Sequence, residues 1–224
     1  MAYVGVDACK GGWIAVILRD GEASTHFVEH IEDLPMVVPS ILQIAIDIPI
    51  GFAGAETRTA DVAAKKFLGR RSSTVFFVPP RTVVQAATYE AAARLSREIM
   101  GVGLSRQSYG LRSKILEVDQ WLDSAPCPVS EAHPEISFAA LLGSPVATSK
   151  KTWAGMVTRR AALQSIGIGF ENVPEEVGRR AAVDDLLDAG ILAWTALRIW
   201  SGQAISFPDP PEVDPDGRAI AIRA

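Results

Sequence analysis

The stretch YVGVDACKGGWIAVIL, residues 3–18, decides the fold, because it sets a carboxylate, Asp7, inside an apolar β-branched run that ends at a glycine turn. Two such runs, 3–9 and 13–19, joined by Lys10-Gly11-Gly12, read as antiparallel strands. A second turn signal, Asp20-Gly21, precedes a weaker run at 24–29, so the chain opens as a three-stranded meander. Further on, LQIAIDIPIG (42–51) is a continuous apolar run with a single acid, Asp47, bounded by proline and glycine. That composition belongs to a strand buried on both faces, and it implies that the chain has left the meander through a crossover.

The remaining periodicities fill in the order. IEDLPMVVPS (31–40) reads as a short helix or loop, and helical spacing recurs at 56–69, 87–99, 135–142, 152–165 and 178–201. A short strand is predicted to end near Glu131, and the last twenty residues are proline-rich with one short closing run. The series β-β-β-α-β-α-β-α predicts an α/β fold. Its mixed five-stranded sheet has an antiparallel meander, a fourth and fifth strand parallel to the first, flanking helices, and a long helical insertion between strands four and five. With no internal repeat or low-complexity linker, residues 1–224 read as one domain with residues 51–126 inserted into it.

Composition narrows the function classes. Nearly half of the 224 residues are apolar, and no apolar run approaches the roughly 18 residues of a membrane span. With no cleavable leader pattern at the start, the reading is a cytoplasmic protein that does not engage a membrane. Cys9 and Cys127, without metal-ligand spacing around them, read as small buried hydrophobes. A net charge of −4 argues against a generic nucleic-acid coating protein, but the bases are segregated. Six of them (Arg58, Lys65, Lys66, Arg70, Arg71, Arg81) face two acids between Glu56 and Arg81, and four stand with no acid between Ser149 and Arg160. For Lys65, Lys66, Arg159 and Arg160 a solvated helix face is the expected fate.

The acids carry the chemistry. Asp7 and Asp47 occupy corresponding places, each at the end of an apolar strand just before the chain turns. If the two strands are adjacent and parallel, both carboxylates emerge at one sheet edge, where they repel unless a cation lies between them. Either one alone is better explained as the cap of its own turn. In RRAAVDDLLDAGILAWTALRIW (179–200), the apolar positions Val183, Leu187, Ile191 and Trp194 follow helical spacing. Asp184 and Asp185 suit the helix N-terminus, whereas Asp188 lies a turn deeper and pairs with them on one face. Oxygen ligands without nitrogen or sulfur select Mg²⁺ or Mn²⁺. SEAHPEISF (130–138) adds Glu131, His133 and Glu135 at the predicted end of the last strand.

Taken together, GVDACKGGW, AIDIPIGF, RTADVAAKKFLGRRSS, EAHPEISFAAL, SKKTWAGMVTRR and DDLLDAGILAWTA resemble the motif series of domain-of-unknown-function family 429 over nearly the whole chain. The resemblance implies an RNase H-like fold and a predicted nuclease. Within the wider superfamily, GVD and DLLDA are similar to the RuvC-type resolvase pattern, which implies Asp7, Asp47, Asp185 and Asp188 as ligands of two divalent ions. Strand four here offers Asp where resolvases offer Glu, the insertion is far longer, and Glu131, His133 and Glu135 have no counterpart.

On that reading the ions activate a water for attack on a phosphodiester of a nucleic acid or nucleotide-like substrate. Glu131 and Glu135 are further candidate ligands, and His133 would order a water or a phosphate oxygen. Lys10, Arg58, Arg70, Arg71, Lys150 and Lys151 would hold phosphates. Two other readings compete. The glycine turn after strand one also resembles the first phosphate loop of actin-like kinases, although no second such loop is present. A non-catalytic assembly module would use STVFFVPP (73–80) and ALRIW (196–200) as apolar surface for a partner or a homodimer.

Overall fold

The computed structural model describes residues 1–54 and 56–224. The chain begins with β1 (Ala2–Cys9), β2 (Gly12–Arg19) and β3 (Glu22–Val28), then a one-turn helix α1 (Leu34–Val37) and β4 (Ile41–Ile46). The α-helices that follow are α2 (Thr59–Leu68), α3 (Arg81–Val84), α4 (Tyr89–Met100), α5 (Arg106–Gly110) and α6 (Arg112–Trp121). After β5 (Val129–Glu131) come α7 (Pro134–Leu142), α8 (Trp153–Ser165), α9 (Glu175–Arg180) and α10 (Val183–Trp200). The strands β6 (Ser206–Val213) and β7 (Ala219–Arg223) close the chain as a separate two-stranded ribbon.

The main sheet has the order β3-β2-β1-β4-β5, antiparallel through the meander and parallel from β1 to β4 and from β4 to β5. This is the mixed five-stranded sheet read from the sequence, with β1 at its centre. The hairpin between β1 and β2 is two residues long, and Gly11 takes the positive φ of +82° that such a turn requires. The third strand starts at Glu22, two residues before its apolar run, because antiparallel pairing with β2 continues to the turn.

The chain divides into two compact units. Met1–Ile48, Ser124–Ile205 and the last two residues form the first; Pro49–Asp123 and Ser206–Ile222 form the second. In the first, α10 packs on one face of the sheet over two apolar clusters. One gathers Ala45, Phe138, Leu163, Leu187, Ile191 and Leu192; the other joins Ile14 and Val16 to Val177, Ala189 and Ala193. Each fully buried Leu or Ile among them contributes about 1.5–3 kcal/mol of transfer free energy.

Helix α10 lies so close to β1 that a Cβ built on Gly5 would stand 2.1 Å from both the Ala189 carbonyl oxygen and the Ala193 nitrogen. Only glycine permits that approach. Gly5 and Asp7 share a face of β1 by the two-residue alternation, so Asp7 points to the α10 side.

In the second unit α2 packs beside β6. The fully buried Arg58 guanidinium is salt-bridged at 3.0 Å to Asp61, whose other oxygen accepts the Val78 N–H at 2.9 Å. Asp119 takes both Arg81 and Arg218, and these reach on to Asp216 and Asp123.

Several local expectations are corrected. The helix read over 178–201 is two helices, α9 and α10, because Ala181 and Ala182 are extended and a new N-terminus forms at Val183. Val183 is 55% exposed there, not part of the core face. Arg159 lies fully buried where a solvated face was expected, and Lys65 donates to the Ser72 carbonyl at 3.0 Å. The cysteines are only half-buried; desolvation pushes the Cys127 thiol up to about 11, which makes it a poor nucleophile at neutral pH. Among the described residues no helix is long and apolar enough to cross a membrane.

Candidate functional site: a lysine among carboxylates

Register brings the two strand-end acids together. Val6 pairs with Ile46 across β1 and β4, and the Asp47 N–H donates to the Val6 carbonyl at 3.0 Å, so Asp7 and Asp47 are the next residues in parallel register. Both lie on the α10 side, at the carboxyl ends of parallel strands where ligands collect in open α/β sheets. Asp188, one turn into α10, is fully buried and meets them from above the sheet.

Desolvation dominates the behaviour of all three. Burial, then the charges of Asp47 and Asp188, lift the Asp7 carboxyl well above the ordinary carboxylate range. Burial pushes Asp47 up to about 6 and Asp188 up to about 7, with Lys150 opposing both and Glu135 adding to each. The Asp7 Oδ1 accepts the Ala8 N–H at 2.8 Å, whereas the Asp188 Oδ1 is buried with no hydrogen-bond partner among the described residues.

The cation in their midst is Lys150. Its ammonium donates to the Asp188 Oδ2, stands 3.9 Å from the Asp184 Oδ2, and feels Asp7 and Asp47. Burial alone would lower this ammonium; the Asp188 carboxylate and hydrogen bond more than reverse that, with Asp7 and Asp47 reinforcing them. Lys151 donates to Asp184 at the exposed margin. The loop that presents both lysines is pinned. Thr152 caps α8 and donates to the Ser149 carbonyl at 2.8 Å, and Gly155 admits that same carbonyl, which a Cβ would meet at 2.0 Å. Arg159 donates to the Thr148 carbonyl at 3.2 Å.

The other sequence candidates sort by position. Asp185 spends an oxygen on the Ala182 N–H at 2.9 Å, closing the start of α10, yet its charge still reaches Asp7. A single nitrogen of Arg159, Nη2, donates to both Glu135 oxygens at 2.7 and 2.8 Å, and the buried guanidinium also sits over the Phe138 ring. Glu131 pairs in register with Ile46, so alternation turns its side chain to the sheet face opposite Asp47. His133 is half-buried at the N-cap of α7. Lys10 is exposed in the turn after β1, at the same sheet edge as Asp7. Arg58, Arg70 and Arg71 belong to the second unit, where Arg58 is enclosed, Arg71 half-buried and Arg70 exposed.

Whether this donor set fits a divalent cation has a two-part answer. The oxygens are of the hard type that Mg²⁺ and Mn²⁺ prefer, and the Asp188 Oδ1 is a buried acceptor without a partner among the described residues. Among the described residues, however, no three Asp, Glu, His or Cys side chains stand assembled around an ion position. Lys150 supplies the positive charge instead. Two features escaped the sequence reading: Gly5 as the seat of α10, and Lys150 as a counterion and not only a phosphate contact.

The acids make stability depend on pH in an unusual direction. Because Asp7, Asp47 and Asp188 all titrate higher in the folded state than their ordinary value of 3.8, their contribution is fully present below about pH 4 and is lost as pH rises through about 6 to 7. Metal-free protein is expected to lose on the order of 2 kcal/mol between pH 5 and pH 8, measured as the urea midpoint in EDTA. A midpoint that rises over that window would show that the acids do not destabilise one another.

Fold and cluster together define an α/β protein with buried carboxylates gathered around a lysine at the carboxyl ends of its parallel strands. The chain belongs to the family described as protein of unknown function, DUF429, which matches residues 5–213. No curated protein and no solved structure matches it.

Proposed function

We propose that this DUF429 protein is a divalent-metal-dependent hydrolase of phosphodiester bonds, acting on nucleic acid or a nucleotide-like substrate. The observation that carries the reading is the convergence of Asp7, Asp47 and Asp188 from three separate chain segments, with one buried Asp188 oxygen left unsatisfied among the described residues. Crowding of that kind costs stability, and its retention is accounted for by a ligand that needs it.

Asp7, Asp47 and Asp188 would hold Mg²⁺ or Mn²⁺, with Asp185 at the margin and oxygens enough for two ions. Bound there, the metal would supply Lewis acidity toward water and toward the phosphoryl oxygens. The chain itself supplies the rest. Gly5 fixes the distance of α10 from β1, and the Arg159 guanidinium holds Glu135 and the Thr148 carbonyl so that the lysine loop keeps its place. Lys10 and Lys151, exposed near the sheet edge and the start of α10, offer charge to flanking phosphates without reading a base.

One observation favours a second reading. Lys150 already sets one cation against Asp188, as it would in a binding module that never takes metal. The test is calorimetric titration of the chelator-treated protein with Mn²⁺, followed by hydrolysis of bis(p-nitrophenyl) phosphate and of single- and double-stranded DNA and RNA, with and without EDTA. Binding of Mn²⁺ together with EDTA-sensitive hydrolysis supports the enzyme; a protein that takes up no Mn²⁺ is a module of the second kind.

A further inference from the structure

We propose that Lys150 is a placeholder cation. It holds the carboxylate cluster together in the metal-free protein, is displaced by an incoming divalent ion, and is thereby delivered to the substrate's phosphate. The inference rests on the metal-dependent reading above and adds to it a coupling between metal and substrate.

Three observations support it. First, the Lys150 ammonium takes one oxygen of Asp188 while the other, Oδ1, is buried without a hydrogen-bond partner among the described residues, so the lysine satisfies the cluster incompletely. A point charge on a single stem reaches one oxygen well, whereas a divalent ion accepts oxygens from several carboxylates at once.

Second, the backbone on either side of Lys150 is fixed, whereas its side chain is tied at the ammonium, to Asp188 with Asp184 nearby. The Ser149 and Thr148 carbonyls are held by Thr152 and Arg159, and Gly155 closes the space beneath them. The Lys150 side chain keeps 32% of its surface exposed, so its ammonium has a short way out to water without any backbone movement. The element with two arrangements is therefore one flexible stem.

Third, the neighbours guide the exit. Asp184 lies 3.9 Å from the Lys150 ammonium on the outer side, half-buried, and shares its oxygen with Lys151. Once a metal takes the inner acids, both lysines stand at the margin of the cluster with less carboxylate to neutralise. Two ammonium groups side by side at the edge of a metal site are a receptor for a phosphate group. Because metal and lysine exclude each other from the same oxygens, metal binding and phosphate binding favour each other, each raising the affinity of the other by the same factor.

The experiment is Mn²⁺ titration by calorimetry at fixed pH for the wild type, Lys150→Met and Lys150→Arg. With the internal competitor gone, Lys150→Met is expected to bind Mn²⁺ about tenfold tighter or more, a coupling in the usual range. Lys150→Arg, which keeps the charge, stays close to the wild type. Equal affinity in wild type and Lys150→Met overturns the placeholder while leaving the metal site standing; absence of Mn²⁺ binding from every protein overturns the metal reading itself.

Should Lys150→Met fail to fold, the wild type decides. In ammonium-detected NMR of ¹⁵N-lysine-labelled protein, one protected signal, absent from Lys150→Arg, is expected without metal. It moves to the positions of exposed lysines on addition of Mg²⁺. A signal unmoved at saturating Mg²⁺ overturns the proposal.

Discussion

Asp7→Asn is expected to stabilise the metal-free protein while removing its metal-dependent hydrolysis. The two halves have one cause. Burial and the charges of Asp47 and Asp188 work against ionised Asp7, so an uncharged isostere relieves a cost that the folded state bears at neutral pH. Asparagine keeps an oxygen to accept the Ala8 N–H that Asp7 accepts at 2.8 Å, so the turn after β1 loses no bond. The stability gain at pH 8 is expected to be on the order of 1–2 kcal/mol, read as a higher urea midpoint in EDTA. Hydrolysis falls by about 10³-fold, the scale of losing a charged group that stabilises transition-state charge. A variant that is destabilised by a similar amount would mean that Asp7 is an ordinary turn cap. A variant that stays active would remove it from the mechanism.

How much of this was legible beforehand follows from the range of each interaction. The meander is read from Lys10-Gly11-Gly12 and Asp20-Gly21 because hairpin pairing is local, and the parallel placement of β4 follows from its unbroken apolar run. Once that pairing is known, the meeting of Asp7 and Asp47 follows from the register alone. Glu131 shows where such reasoning stops. Its closeness in sequence to the site says nothing of its parity in the strand, and one residue of register moves a side chain to the other face.

Arg159 shows a different limit. A base four residues from Gly155 on a helix reads as solvated, and it is Glu135 on another helix, together with the Thr148 carbonyl, that makes its burial tolerable. The same holds for the Pro-rich end of the chain, where β6 and β7 pair as a ribbon and join the second unit through contacts that no local pattern encodes. Lys150 was visible as a base in an acid-free stretch, but its partners Asp184 and Asp188 lie more than thirty residues on, so its role as counterion needed the fold.

The heaviest loss is expected from the smallest change, Gly5→Ala. A methyl group there would lie 2.1 Å from the Ala189 oxygen and the Ala193 nitrogen and 2.5 Å from the Leu192 carbonyl carbon. All three are backbone atoms of α10, so no rotamer can give way; β1, central in the sheet, is equally unable to retreat. The helix must shift by on the order of 1 Å, opening the packing of Ile191 and Leu192 against the sheet side of the core, and the cost is expected to exceed about 4 kcal/mol. Gly11→Ala is the control. It sits at φ +82° with nothing within 4 Å of the added carbon, so only backbone strain applies, on the order of 1 kcal/mol. The comparison bears on the site as well as the fold, since Asp188 precedes Ala189 and Asp7 follows Gly5 by two residues. Any helix movement that relieves the clash draws Asp188 away from Asp7. Folded Gly5→Ala protein, if a fraction survives, is therefore expected to lose the pH 5 to pH 8 decline in stability along with Mn²⁺ binding. A variant as stable as Gly11→Ala, with that decline intact, would show that α10 does not rest on Gly5 and that the spacing of the acids is set elsewhere.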